Sequence, residues 1–267
     1  MKSPLGLLAT LGVIFNILGL QVGAQNLPGS LSFTVSGSFE NAVSESSKSL
    51  LISDNNLTDG YAAGMDQYDA PASLNPYGSA GSAAFQWGAA STTSSYAHSS
   101  ALWFEPISGK NIAPNQYFNI GYLYYRNGTI KSNTGASSVD IALNLNFSNP
   151  SDMPAVNATF TSDLINSVNT SDPIASADIV SLRNWAAPLN YVDSNGHQYF
   201  LELSFKVDQT TIDGTLSTPD EFRVFEGGQG RAELLGRFTT SPMLQVPEPS
   251  TALLGLLGAL AMLRRKR

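Results

Sequence analysis

The sequence predicts an all-β protein, an antiparallel β-sandwich of jelly-roll-like kind. Three observations carry that expectation. First, Val139, Ile141, Leu143, Leu145 and Phe147 alternate with Asp140, Ala142, Asn144 and Asn146, the two-residue period of a strand with one buried face. Second, charged residues make up 13 % of the 267-residue chain and aromatics 10 %, so Ser, Thr, Asn and Gly must supply most of the polar surface, as suits sheets joined by turns. Third, no long segment repeats with a helical period.

The chain opens with Met1-Lys2, a positive start, and an almost wholly apolar run from Leu5 to Leu20. Val22-Gly23-Ala24 then offers small residues for a signal peptidase, which predicts a signal peptide over residues 1–24, cut between Ala24 and Gln25. A membrane anchor is the alternative reading of the same run. Residues 25–245 are the expected extracellular domain.

Inside it, Leu31, Phe33, Val35 and Phe39 alternate with small polar residues as a first strand. Asp54 to Gly81 is rich in Asp, Asn, Pro and Gly and reads as loops. Ser91 to Ser100 is a Ser/Thr tract, either loop or polar strand. Phe118 to Tyr125 is aromatic and β-prone, with Asn127-Gly128 behind it as a turn signal. Asp193-Ser194-Asn195-Gly196 reads as a turn. After it, Leu201, Leu203, Phe205 and Val207 alternate with Phe200, Glu202, Ser204 and Lys206. Thr159–Leu164, Asp178–Leu182, Glu221–Phe225 and Glu233–Phe238 are shorter strand candidates. Two-faced strands with turns between them point to antiparallel sheets packed on one another.

The C-terminal part has its own logic. Val246-Pro247-Glu248-Pro249-Ser250 precedes an apolar run from Thr251 to Leu263, and Arg264-Arg265-Lys266-Arg267 follows. At ~1.5 Å per residue the run spans roughly 20 Å, short of a ~30 Å bilayer core. Basic residues beyond it favour a cytoplasmic tail. The expectation is a short transmembrane helix over 251–263 that acts as a temporary stop, within a sorting segment over 246–267.

Pro247-Glu248-Pro249, a short apolar helix and a basic cluster, in that order, resemble the PEP-CTERM sorting signal of Gram-negative bacteria. That resemblance implies recognition by an exosortase, a membrane transpeptidase that cuts near Pro-Glu-Pro, with membrane contact limited to the C-terminal segment before processing. It implies an address and not an activity. The middle carries a second resemblance. Phe85-Gln86-Trp87-Gly88, Ser99-Ser100-Ala101-Leu102-Trp103-Phe104, Phe118 to Tyr125, Asn127-Gly128-Thr129-Ile130, Gly135-Ala136 and Ser138-Val139-Asp140-Ile141 are similar in order to the choice-of-anchor K domain, a bacterial extracellular module. The similarity runs from about residue 85 to 238 and carries over no catalytic residues. Arg126 departs from it by placing a charge in the aromatic stretch.

Composition narrows the function classes. Residues 25–246 hold nine basic and twenty acidic side chains, a balance of −11 that repels phosphate backbones and argues against nucleic acid as a partner. The absence of cysteine excludes disulfides, thiol nucleophiles and Cys-based zinc sites. His98 and His197, the only two histidines, lie in loop-like settings, and no Gly-x-Ser-x-Gly elbow accompanies them, so they read as ordinary turn or surface residues.

Carboxylates and aromatics leave more room. Asp220-Glu221, Glu40/Glu45 and Asp66/Asp69 are candidate acid–base pairs for glycoside hydrolysis, which needs carboxyls roughly 5–10 Å apart. Asp54-Asn55-Asn56, Asp193–Asn195 and Asp208–Asp213 offer the hard oxygens that calcium takes, although the same residues are the usual turn formers. Trp87, Trp103, Trp185, Tyr122, Tyr124 and Tyr125 could stack on sugar rings or fill a core. Asn-x-Ser/Thr sequons at Asn56, Asn127, Asn146, Asn157 and Asn169 carry little meaning in a bacterium.

The resulting expectation is an exported surface or extracellular-matrix component, non-catalytic, structural or adhesive, with exosortase as its processing partner and envelope or extracellular polysaccharide as a candidate ligand. The alternative is a carbohydrate-binding or carbohydrate-degrading secreted protein. No cofactor is expected, with calcium left open.

Overall fold

The structure, a computed structural model, describes residues 30–57, 82–91, 98–149, 151, 153–167, 170, 172, 174–192, 198–207 and 215–242. Among them are fourteen strands and no helix. They are β1 (Leu31–Ser44), β2 (Leu51–Leu57), β3 (Ser82–Trp87), β4 (Ser100–Pro106), β5 (Gly109–Ile112), β6 (Phe118–Arg126) and β7 (Ala136–Asn149). The second half adds β8 (Val156–Ile165), β9 (Asp178–Leu182), β10 (Ala186–Val192), β11 (Gln198–Phe205), β12 (Thr215–Ser217), β13 (Glu221–Val224) and β14 (Gln229–Thr239). They form two seven-stranded sheets. Sheet I runs β12-β13-β9-β8-β7-β1-β5 and sheet II runs β10-β11-β14-β6-β4-β3-β2. Each strand pairs antiparallel with its neighbours.

The alternating segments form strands because their apolar residues find one shared core. Val139, Ile141, Leu143 and Leu145 of β7 and Leu201, Leu203 and Phe205 of β11 are all buried in it. Leu143 lies opposite Gly37 on one side and Ala158 on the other. The small neighbours let sheet II come close. A Cβ on Gly37 would sit 2.3 Å from Cδ1 of Phe104 on β4, so the glycine is what seats that ring. Large and small residues interdigitate across the sheets rather than within one of them.

Aromatic rings form two clusters inside this core. At one end Phe33, Phe118, Phe147 and Phe238 meet, with Phe33 and Phe238 centroids 5.4 Å apart. Toward the other end a file of rings runs Phe39, Phe85, Trp87, Tyr125 and Phe222. Phe33 lies near the start of β1 and Phe238 near the end of β14, so β1 begins and β14 ends on the same side of the sheets. Eleven residues of β14, at ~3.4 Å each, put the opposite end roughly 35 Å away.

Three sequence expectations need correction. Asp54–Leu57 was expected as loop and is part of β2. Asp and Asn are poor strand formers in general, but Asn55 does backbone work here: its Oδ1 accepts from Phe39 N at 2.9 Å, which ties the edge of sheet II to β1 of sheet I. Asn127-Gly128 reads as a turn signal in the sequence. Instead Asn127 is fully buried and the segment crosses from sheet II to sheet I. A Cβ on Gly128 would lie 2.1 Å from the His98 carbonyl oxygen, so close backbone approach rather than turn geometry requires the glycine. Val207 was expected on a buried strand face, yet β11 ends at Phe205 and Val207 is 57 % exposed. The segments 58–81, 92–97, 193–197, 208–214 and 243–267, with residues 1–29, lie outside the described residues. The expected signal peptide, the sorting segment with its helix 251–263, His197, Asp66/Asp69, Asp193–Asn195 and Asp208–Asp213 all fall there.

Candidate functional site

Four connections converge at the end of the sheets opposite Phe33 and Phe238. They follow β1, β6, β8 and β13, and each delivers a polar side chain because its strand ends there. Together they enclose a hollow of about 340 Å³, lined by Glu45, Thr129, Lys131, Asn166, Asp178 and Glu226 among others. Glu45 follows β1 and accepts from the Asn166 amide of the β8–β9 loop. Glu226 sits in the turn after β13 and accepts from the Thr129 hydroxyl at 2.6 Å.

Asp178 is the chemically unusual member. It opens β9, is 6 % exposed, and accepts from the Ser167 backbone N–H at 2.7 Å. Ser167 also donates its hydroxyl to the Ala177 carbonyl, so the two ends of the β8–β9 loop are stapled side by side. Burial is the main reason its carboxyl is pushed up to about 7. The Ser167 N–H pulls the other way, the charges of Glu226 and Glu45 push further up, and the Asn127 amide lowers it again. Tyr125, packed beneath, is held well above the usual phenol range by burial and then by Asp178 and Glu226.

Asn127 links this site to the core. Its Nδ2 donates to the Val224 carbonyl at 3.0 Å and its backbone N–H to the Gly228 carbonyl at 3.0 Å. Its Oδ1 is buried with no hydrogen-bond partner in the structure. The arrangement can hold or release one proton near neutrality and so change the charge facing Glu226 and Glu45. Among the described residues no three His, Cys, Asp or Glu side chains are grouped to hold a metal ion.

The acid pairs expected from the sequence go elsewhere. Glu40 faces out from β1 and accepts from Ser38, while Glu45 lines the hollow, so the two do not share a site. Asp220 accepts from Thr218 and Glu221 pairs with Arg223. Of the oxygen-rich loops, Asn55 is engaged with Phe39. His98 is half-buried beside Gly128. Asp178 and Glu226 carried no sequence signal as a pair, because the segments that form the hollow are spread from residue 45 to 226 and meet only through the sheet order.

The aromatics divide between two places. Trp87 and Tyr125 belong to the main core, and Trp185 is half-buried. Trp103 and Tyr124 instead face outward from sheet II and are nonetheless buried, with Ala84, Ala101, Ile52 and Tyr122 around them. Arg126, the charge that broke the aromatic pattern, lies over the Trp103 ring at 5.4 Å and donates from Nε to the Ser99 carbonyl. Tyr124 donates to Glu105 at 2.8 Å, and Arg231 covers the Tyr122 ring at 4.7 Å. Glu202, expected on a wet face of β11, is fully buried. Arg237, directly opposite it on β14, supplies the countercharge, and Nε lies 2.6 Å from the carboxylate.

Compared with known proteins, the chain matches no family model and no curated protein at a significant level.

Proposed function

We propose that this chain is a bacterial exported protein, a non-catalytic structural or adhesive component of the cell surface or extracellular matrix, sorted by an exosortase. Its two sheets pack as a β-sandwich of jelly-roll-like kind. The observation that carries the reading is the pair of end sequences: an apolar run from Leu5 to Leu20 followed by Val22-Gly23-Ala24, and Pro247-Glu248-Pro249 followed by an apolar run and Arg264 to Arg267.

The fold supports it in two ways. The described strands begin at Leu31 and end at Thr239, so cuts at Ala24 and near Pro247 would leave every described strand in place. The start of β1 and the end of β14 lie together at the Phe33–Phe238 end. A chain held from the end where β14 finishes would therefore present the Asp178 end outward, roughly 35 Å away along β14. Envelope or extracellular polysaccharide is the partner proposed for the mature domain, nucleic acid is not, and calcium stays a proposal without an assigned loop.

Intact mass of the surface or secreted form tests the reading. The expected product starts at Gln25 and lacks Arg264 to Arg267. Mature protein carrying the whole C-terminus would overturn it.

A carbohydrate-degrading enzyme is the second reading, and the Asp178–Glu226 hollow is the observation that favours it, since a carboxyl of raised pKa beside a second carboxylate is what such catalysis uses. Release of reducing sugar from a polysaccharide panel, abolished by Asp178→Asn in a folded protein, would establish it in place of the first.

A further inference from the structure

The outward face of sheet I is lined by amides and hydroxyls. Strands β1, β7 and β8 lie side by side in unbroken register there. Ser36 is opposite Asn144, which is opposite Asn157, and the next row is Ser38, Ala142 and Thr159. All six are half-buried or exposed. Asn144 Nδ2 donates to Asn157 Oδ1 at 2.6 Å, and Asn146 Nδ2 to Asn144 Oδ1 at 2.8 Å, so the amides are oriented by one another before anything docks.

Ala142 has the smallest side chain in these rows. The surface dips around it into a hollow of about 420 Å³, bounded by Asn144, Asn157, Ser36, Glu40 and Asn55. Asn55 reaches this rim from sheet II because its side chain is fixed on the Phe39 backbone.

We propose that this hollow binds an uncharged polysaccharide, with a sugar ring seated over the Ala142 methyl and its hydroxyls bonded to the flanking amides and hydroxyls. The proposal rests on the adhesive reading above and names its ligand class. Three features of the face select that occupant. Amides and hydroxyls donate and accept alike, which matches a polyol with both kinds of group. No Lys or Arg lies on β1, β7 or β8, and Glu40 and Asp140 stand directly opposite each other beside the hollow, so a sulfated, phosphorylated or uronic polymer is repelled. The rows also lack large apolar side chains, which disfavours a protein partner whose interface core must be buried.

The test is affinity electrophoresis of the full-length chain in a detergent without sugar headgroups. The gels contain galactomannan, mixed-linkage β-glucan or dextran as neutral polymers, or alginate or dextran sulfate as charged ones. At least one neutral polymer should retard the protein and neither charged one should. Ala142→Phe, which fills the hollow from the solvent side, should weaken retardation at least tenfold with an unchanged thermal midpoint. Asn157→Ala should weaken it severalfold, and Arg231→Ala on sheet II should not. Retardation by no neutral polymer, retardation by the charged polymers alone, or full binding by a folded Ala142→Phe protein would each overturn the proposal. Should Ala142→Phe itself unfold, Asn157→Ala with undiminished binding overturns it in the same way. The sorting reading is tested separately by the intact mass of the mature chain, so either can fail without the other.

Discussion

Asp178 makes the protein's stability depend on pH in a direction that is easy to mistake. Its carboxyl is raised to about 7, chiefly by burial, whereas an unfolded Asp titrates near ~3.9. Between those values the folded chain holds a proton that the unfolded chain has released. Stability from this group is therefore complete below about pH 4, falls as pH rises, and levels off above about 7. A separation of roughly three units corresponds to about 4 kcal/mol over the window. Asp178→Asn removes the titration while keeping an oxygen for the Ser167 N–H. Urea midpoints of both proteins measured from pH 4 to pH 8 give the comparison. The variant should gain on the wild type steadily, by about 4 kcal/mol across the range, with most of the change complete by pH 7.5. High salt should shrink only the smaller share that Glu226 and Glu45 contribute, because desolvation is the first cause. Parallel curves for the two proteins would refute the reasoning and mean that Asp178 is solvated or ionised throughout.

Three other outcomes follow from packing. Leu143→Ala should cost about 2–5 kcal/mol in denaturant melts, and Asn144→Ala on the opposite face of the same strand less than about 1, since Leu143 is 1 % exposed and Asn144 half-exposed. Equal losses would mean that both faces are buried. Arg237→Ala removes the ion pair to buried Glu202 and should cost about 3–5 kcal/mol, while the double change Glu202→Leu with Arg237→Met should recover most of it. A double variant as unstable as Arg237→Ala would place the loss in packing. Gly128→Ala should destabilise by more than about 2 kcal/mol, because its Cβ would meet the His98 carbonyl, a backbone atom that cannot swing aside. A thermal midpoint within a degree of wild type would show that this crossing is slack.

Strand identity was legible where the sequence alternates apolar and polar residues. Residues 139–147 do so because every second side chain enters the core, and 201–205 keep the same alternation although Glu202 is buried as well. β3 and the first residues of β4 gave no such signal, since both of their faces are buried and the pattern reads as a continuous run. β2 was hidden by Asp54, Asn55 and Asn56, whose composition indicates a turn when no partner strand is in view. Val207 continued the alternation by coincidence, past the point where β11 has a neighbour to pair with.

The sequence by itself determined the all-β class, the buried faces of the alternating strands and the net negative charge. These follow from periods and sums, which are local or additive. Only the tertiary structure decided which strands share a sheet, that β1 begins and β14 ends beside Phe33 and Phe238, and that Glu45, Asp178 and Glu226 line one hollow. It also decided that Glu202 is dry although its strand neighbours predicted water. Such facts depend on pairings between residues far apart in the chain, and a carboxylate's environment is set by what the sheet order brings opposite it, not by the residues on either side.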